Sequence, residues 1–192
     1  MIARDYPVVY RIMHWAIALC MLFLLLTIFL RTTWMSRESM ADIIQGYAAE
    51  KGIAMDNDMA GGLARRIREP MWNWHIYTGY VLVGLFAIRF ALPLFGTMRF
   101  ANPLGKQLSA KVKFQYALYL VFYACVAVSL TTGLFIKFGP ESLEEAMEEV
   151  HVLSIYYLLT FIGLHLGGVF LAEFTDQQGI VSRIVSGKRN GE

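Results

Sequence analysis

The stretch VHVLSIYYLLTFIGLHLGG, Val150 to Gly168, is apolar almost throughout, yet it carries imidazoles at His151 and His165. It opens a run, Val150–Ala172, that contains no Asp, Glu, Lys or Arg. A run of roughly 20 apolar residues crosses a bilayer core as a helix. Ionisable side chains inside such a run are costly, and they usually serve a function. On one continuous helix the fourteen residues between the histidines rise ~21 Å and complete just under four turns. The spacing therefore predicts two imidazoles on one face at two depths.

Three further runs have the same character: Ile12–Leu30, Met71–Ile88 and Phe114–Ile136. The second continues past Arg89 with apolar chain as far as Met98. Charged residues are only 17% of the 192, against about a quarter in soluble domains. Mean hydropathy is +0.48. Backbone groups in lipid must bond internally, and these runs lack the alternation of a barrel strand, so the spans are helices. The expected fold class is an all-α membrane protein: one domain over 1–192, a four-transmembrane-helix bundle. Its helices fall at about 12–30, 72–94, 114–136 and 150–172 by the apolar-length criterion, with a periplasmic insert at about 31–70. The first run reads as a retained helix, because Arg31-Thr32-Thr33-Trp34 follows it where a cleavage site of small residues would stand. Cys20 and Cys125 lie in separate spans and read as small buried residues; there is no CxxCH or CxxC motif.

Four spans put both termini on one side. That side carries Arg4, Arg11, Arg89, Arg99, Lys106, Lys111, Lys113, Arg183, Lys188 and Arg189. The other carries Arg31, Arg37, Lys51, Arg65, Arg66, Arg68 and Lys137. The excess of basic residues places both termini in the cytoplasm. Within the insert, Met40, Ile43, Ile44 and Tyr47 are spaced as in a short surface helix, or the segment is a plain connector. Gly61-Gly62 marks a turn, and Leu63–Arg68 suits a further helical turn ending before Pro70. Gly139-Pro140, followed by Glu141, Glu144 and Glu145, fits a helix start, or a face for a basic partner.

All four histidines fall in or at the ends of spans. Depth sorts them into an outer pair, His75 with His151, and an inner pair, His14 with His165. Two imidazoles at one level on facing helices describe bis-histidine haem ligation within a bundle. Zinc and copper want more or different protein ligands, and no Cys or carboxylate stands beside these histidines. Gly79 follows His75 by one turn, while Gly163, Gly167 and Gly168 surround His165. They would leave a porphyrin face clear, or they serve close helix packing. Arg11, one turn before His14, and Arg89, ending the second span, would hold propionates or act as interfacial anchors. Arg31, Arg68 and Lys137 are available for the same roles outside. Trp15, Trp34, Trp72 and Trp74 stand near span ends, as belt aromatics do.

An ordered set of short motifs runs through the chain. RIMHW (Arg11–Trp15) opens the first span, WHIYTGY (Trp74–Tyr80) the second, and NPLG (Asn102–Gly105) follows it. The His151/His165 spacing and IVSGKR (Ile184–Arg189) complete the set. With these the chain resembles the bacterial cytochrome b561 family, including the b-type cytochrome subunits of nickel–iron hydrogenases. The resemblance implies two non-covalent b haems with His14, His75, His151 and His165 as axial ligands. It also implies electron transfer across the membrane between a quinone or quinol and a redox protein, a hydrogenase or a periplasmic c-type cytochrome. The 31–70 insert departs from shorter members and leaves the partner and the outer quinone site open. A stand-alone quinone-coupled oxidoreductase, such as a superoxide oxidase, is an alternative, and a membrane anchor without redox role is another. Lipid is the expected surrounding, and no nucleic-acid partner is expected.

Overall fold

A computed structural model describes residues 6–96, 98–100, 102–105, 107–175 and 177–187. Arg4, Lys106, Lys188 and Arg189, which enter the orientation argument, lie outside the described residues. The described chain is helical, with no strand. Four helical segments are long and apolar enough to cross a membrane, at Val8–Thr32, Asn57–Phe95, Ala110–Phe138 and Glu141–Phe174. Their side chains are largely on the outside: Phe29 is 59% exposed and Phe170 68%. Lipid is the solvent that makes such surfaces stable.

The chain divides into two compact units, Ile17–Gly84 and a second formed by Met1–Ala16 with Leu85–Glu192. Helix α1 (Val8–Thr32) and helix α3 (Asn57–Ala91) contribute to both. The first unit holds most of α1, all of α2 (Arg37–Glu50) and the first part of α3. Helix α2 begins where the hydroxyl of Ser36 accepts the amide of Ser39 at 3.1 Å, a side-chain N-cap. Helix α3 begins in the same way, with the Asp56 carboxylate accepting the amide of Met59 at 2.7 Å. Gln45 Nε2 donates to Asn57 Oδ1 at 2.6 Å, and the Arg37 guanidinium lies against Gly61. These two contacts run α2 antiparallel to the start of α3.

The sequence reading of residues 57–70 needs correction. Helix α3 continues through Gly61-Gly62 and through Pro70, so there is no turn at the glycines and no stop before the proline. Proline removes one helical hydrogen bond, while the cap at Asp56 and packing on one face keep the rest. Ala60 and Ala64, one turn apart, are wholly buried beside Gly61. A Cβ at Gly61 would lie 2.7 Å from the Arg37 guanidinium, so this glycine gives room for a close approach. The insert is thus a helical hairpin rather than a loose connector.

The second unit holds the remaining elements. A short 3₁₀ turn, Leu92–Phe95, ends α3 at Gly96, whose φ of 77° is left-handed. Arg89 is only 6% exposed and fastens the connection that follows. Its Nε donates to Tyr123 Oη at 3.2 Å, its Nη1 donates to the Met98 carbonyl at 2.9 Å, and its guanidinium covers the Phe100 ring. Helix α4 (Ala110–Phe138) starts on the Ser109 hydroxyl. Helix α5 (Glu141–Val152) starts after Pro140 with Glu141 and Glu144 in its first turn, as the sequence indicates.

The fourth span is not one uninterrupted helix. Helix α5 ends at Val152 and α6 (Ser154–Phe174) begins after Leu153. The amide of Leu153 bonds to the Val150 carbonyl, and that of Tyr156 to the Leu153 carbonyl. These three-residue steps are tighter than the α-helical step. His151 therefore sits in the last turn of α5, and a single 3.6-residue period does not relate its azimuth to that of His165. A last short helix, α7 (Ile180–Val185), follows Gly179.

The hairpin makes a prediction. Ala64→Leu forces a larger side chain into a fully enclosed position and should cost about 1–3 kcal/mol of local stability. Hydrogen exchange across Arg37–Glu50 should quicken while bound cofactor is retained. Unchanged exchange in that segment would show that Ala64 does not support α2.

Candidate cofactor site

The structure brings two of the histidines face to face. His14 on α1 and His165 on α6 have ring centroids 6.0 Å apart, with planes tilted by 46°. Neither ring makes a hydrogen bond among the described residues. His165 is held by aromatic packing instead. It stacks on Phe161 at 5.5 Å, Phe161 stacks on Phe122 at 3.6 Å, and the edge of Tyr119 meets it from the side. His14 meets Trp15 edge-on. Two polar rings in apolar surroundings, packed rather than hydrogen-bonded, keep their nitrogens for something else.

The spacing admits one metal between them. An imidazole nitrogen sits about 2 Å from a bound metal, and that nitrogen is itself about 1 Å from its ring centre. Two imidazoles on opposite sides of one metal therefore have centres about 6 Å apart, which is the separation found. A haem also needs free space beside its ligands. A Cβ built on Gly163, Gly167 or Gly168 would meet nothing within 4 Å, and the same is true of Gly79. The space beside these glycines is open, so none of them sits at a close helix contact among the described residues. Among the described residues no group of three or more His, Cys, Asp or Glu side chains comes together to hold a metal ion.

His151 is positioned differently. Its Nδ1 lies 3.0 Å from the carbonyl of Ser129 and 3.2 Å from Thr132 Oγ1. A carbonyl can only accept, so Nδ1 carries the proton. The Thr132 hydroxyl already donates to the Val128 and Ser129 carbonyls, leaving its lone pairs for the imidazole. Nε2 is then the basic nitrogen. The ring lies against α4 because position 133 is glycine: a Cβ there would stand 3.0 Å from His151 Cε1. Ser129, Thr132 and Gly133 form a seat for one imidazole on a neighbouring helix.

His75, in the other unit, has a seat of the same kind. Thr27 on α1 is 2% exposed, and its hydroxyl donates to the Leu24 carbonyl at 2.6 Å. Its oxygen is 2.7 Å from His75 Nδ1. With the hydroxyl proton spent on the backbone, Nδ1–H of His75 donates to Thr27. Trp72 stacks on His75 at 4.5 Å with planes 6° apart, and the Arg31 guanidinium covers the other side of Trp72 at 3.9 Å. Trp72 is thus more than a belt residue. So is Trp15, whose Nε1 donates to the Ile184 carbonyl at 3.0 Å. Trp34 and Trp74, 68% and 60% exposed, keep the anchoring position.

The two arginines singled out from the sequence are already partly engaged. Arg11 Nη1 donates to the Val185 carbonyl at 3.1 Å, while its Nε is buried without a hydrogen-bond partner. Arg89 gives two of its nitrogens to Tyr123 and Met98. Sequence reasoning missed Thr27, Ser129, Thr132 and Gly133. The available signal was Ser129-x-x-Thr132-Gly133, small and polar residues one turn apart in the middle of an apolar span.

A family model described as prokaryotic cytochrome b561 matches residues 5–187, nearly the whole chain. No curated protein and no solved structure matches.

The His151 seat is open to test. Gly133→Val places two methyl groups where the imidazole lies, so b-type haem bound per chain should fall while helicity by circular dichroism stays native. Native haem content in this variant would show that the seat plays no part in cofactor binding.

Proposed function

The chain belongs to the prokaryotic cytochrome b561 family, and we propose that it is a di-haem conduit carrying electrons across the bacterial inner membrane between a quinone pool and a redox protein. As a member of that family it is a membrane b-type cytochrome of electron transfer. In the proposed arrangement His14 and His165 hold one haem on the cytoplasmic side, and His75 and His151 hold the other on the periplasmic side. Both termini are cytoplasmic. The observation that carries this reading is the 6.0 Å separation of the His14 and His165 rings. The partner is a hydrogenase or a periplasmic c-type cytochrome.

The haem, when bound, supplies an iron that accepts and releases one electron. The chain's own residues do the rest. The Ser129 carbonyl and Thr132 hold the proton of His151 on Nδ1, and Thr27 does the same for His75. Such outer partners fix the tautomer, orient the ring and raise the basicity of the nitrogen that binds metal. Phe161, Phe122 and Tyr119 fix the His165 ring by packing. The surrounding apolar helices exclude water.

The pairing is tested by four single substitutions. His14→Ala and His165→Ala should each reduce the pyridine haemochrome yield from two haems per chain to one, and both should remove the same spectral component. His75→Ala and His151→Ala should each remove the other component. Loss of one component by both His14→Ala and His151→Ala would overturn the pairing, and a folded native protein without haem would overturn the function.

A second reading rests on a different observation. The guanidiniums of Arg31 and Arg37 act on that of Arg68, and none of the three has an ion-pair partner among the described residues. With exposed Arg65 and Arg66 nearby in sequence they form a positive region able to attract an anion. A stand-alone superoxide oxidase would use it. Superoxide-driven quinone reduction by the isolated protein would support that activity, and its absence would leave electron conduction to a partner protein.

A further inference from the structure

Helix α7 is only six residues long, Ile180–Val185, yet it is fixed at both ends. At its start the Glu173 carboxylate accepts the amides of Gly179 and Val181 at 2.9 and 3.1 Å. At its end two side chains of α1 donate to its carbonyls: Arg11 Nη1 to Val185 and Trp15 Nε1 to Ile184. Gly187 turns the chain away with a φ of 84°, and a Cβ there would stand 2.7 Å from the Arg11 guanidinium carbon. The helix is thereby locked against the turn of α1 that carries His14.

What this fixing places is Arg183. It is 3% exposed, and its Nε is buried without a hydrogen-bond partner. The side chain makes no hydrogen bond or ion pair among the described residues. Glu173 feels its charge but gives its oxygens to the α7 amides. A guanidinium does not lose its proton in a protein. A buried charge without a counter-charge is strongly unfavourable, and no carboxylate among the described residues supplies that counter-charge. A second guanidinium stands nearby along α1, partly exposed. Arg11, three residues before His14 and bonded to α7, also has a buried Nε without a partner.

We propose that Arg183, together with Arg11, binds a propionate carboxylate of the haem held by His14 and His165. The planar guanidinium fork matches a carboxylate in two-point geometry. Arg11 brings the clamp to the level of His14, and α7 brings Arg183 to the same end of α1. This inference rests on the di-haem reading. It makes Arg183 a positioning residue that also tunes the iron, since a fixed positive charge beside the propionate favours the reduced state.

The test uses the full-length holoprotein in detergent, with redox titration of the two haem components. His165→Ala identifies which component is the inner one. Arg183→Gln should shift the inner midpoint to lower potential and leave the outer one in place, and Arg183→Lys should restore most of the shift. Where Arg183→Gln does not fold, native protein reconstituted with haem dimethyl ester, which has lost its propionate charges and leaves the guanidinium unpaired, should show the opposite shift, a raised inner midpoint. An unchanged inner midpoint in Arg183→Gln, or in the dimethyl ester form, overturns the proposal. Unchanged midpoints with loss of a co-purifying phospholipid would also overturn it, and would assign the clamp to a lipid phosphate. Fewer than two haems in the native protein would instead refute the di-haem reading itself.

Discussion

The hydrogen bond that His151 Nδ1 donates to the Ser129 carbonyl settles more of this site than any other single contact. A carbonyl oxygen has no proton to give, so the bond fixes the tautomer and leaves Nε2 basic. The seat uses two side-chain identities of α4: beside the backbone carbonyl of Ser129, Thr132 supplies a second acceptor because its own proton is spent on the backbone, and Gly133 gives the ring room against the helix. Thr27 repeats the device for His75. In an apolar span an imidazole held this way has one nitrogen satisfied by the polypeptide and its tautomer fixed. The inner histidines use another means to the same end: His165 is fixed by an aromatic stack that offers it no hydrogen bond at all.

Around these seats the chain divides its labour by solvent. Side chains of the spans face lipid, so burial within the protein contributes little to holding the helices together. Contacts that need a particular partner carry more weight: Arg89 on Tyr123 and Met98, Arg11 and Trp15 on the end of α7, and Arg37 over Gly61. Each fastens a connection or a short helix to a longer one. Buried arginine in such a protein needs a counter-charge or hydrogen bonds; Arg89 has the hydrogen bonds, and Arg183 has neither among the described residues.

Much of this was legible in the sequence because the signals are long or rare. The helical class and the four spans follow from runs of about 20 uncharged residues, too long to arise from a soluble core. The histidines stand out because nothing else in those runs is ionisable in the same way. Punctuation was the weaker guide. Gly61-Gly62 and Pro70 read as breaks, yet a capped helix packed on Ala60 and Ala64 runs through them. Conversely, no glycine or proline marks Leu153, where the fourth span does break. The seats of His151 and His75 were out of reach for another reason. They depend on the register of one helix against another, and a single sequence carries no direct record of that.

The central claim is that electrons cross the membrane through this one chain. Proteoliposomes containing only this protein, loaded with ferricyanide and reduced from outside by dithionite, test it most directly. The account predicts reduction of both haems and bleaching of the enclosed ferricyanide at a rate proportional to the protein present. Reduction of a single haem with the internal ferricyanide untouched would contradict it.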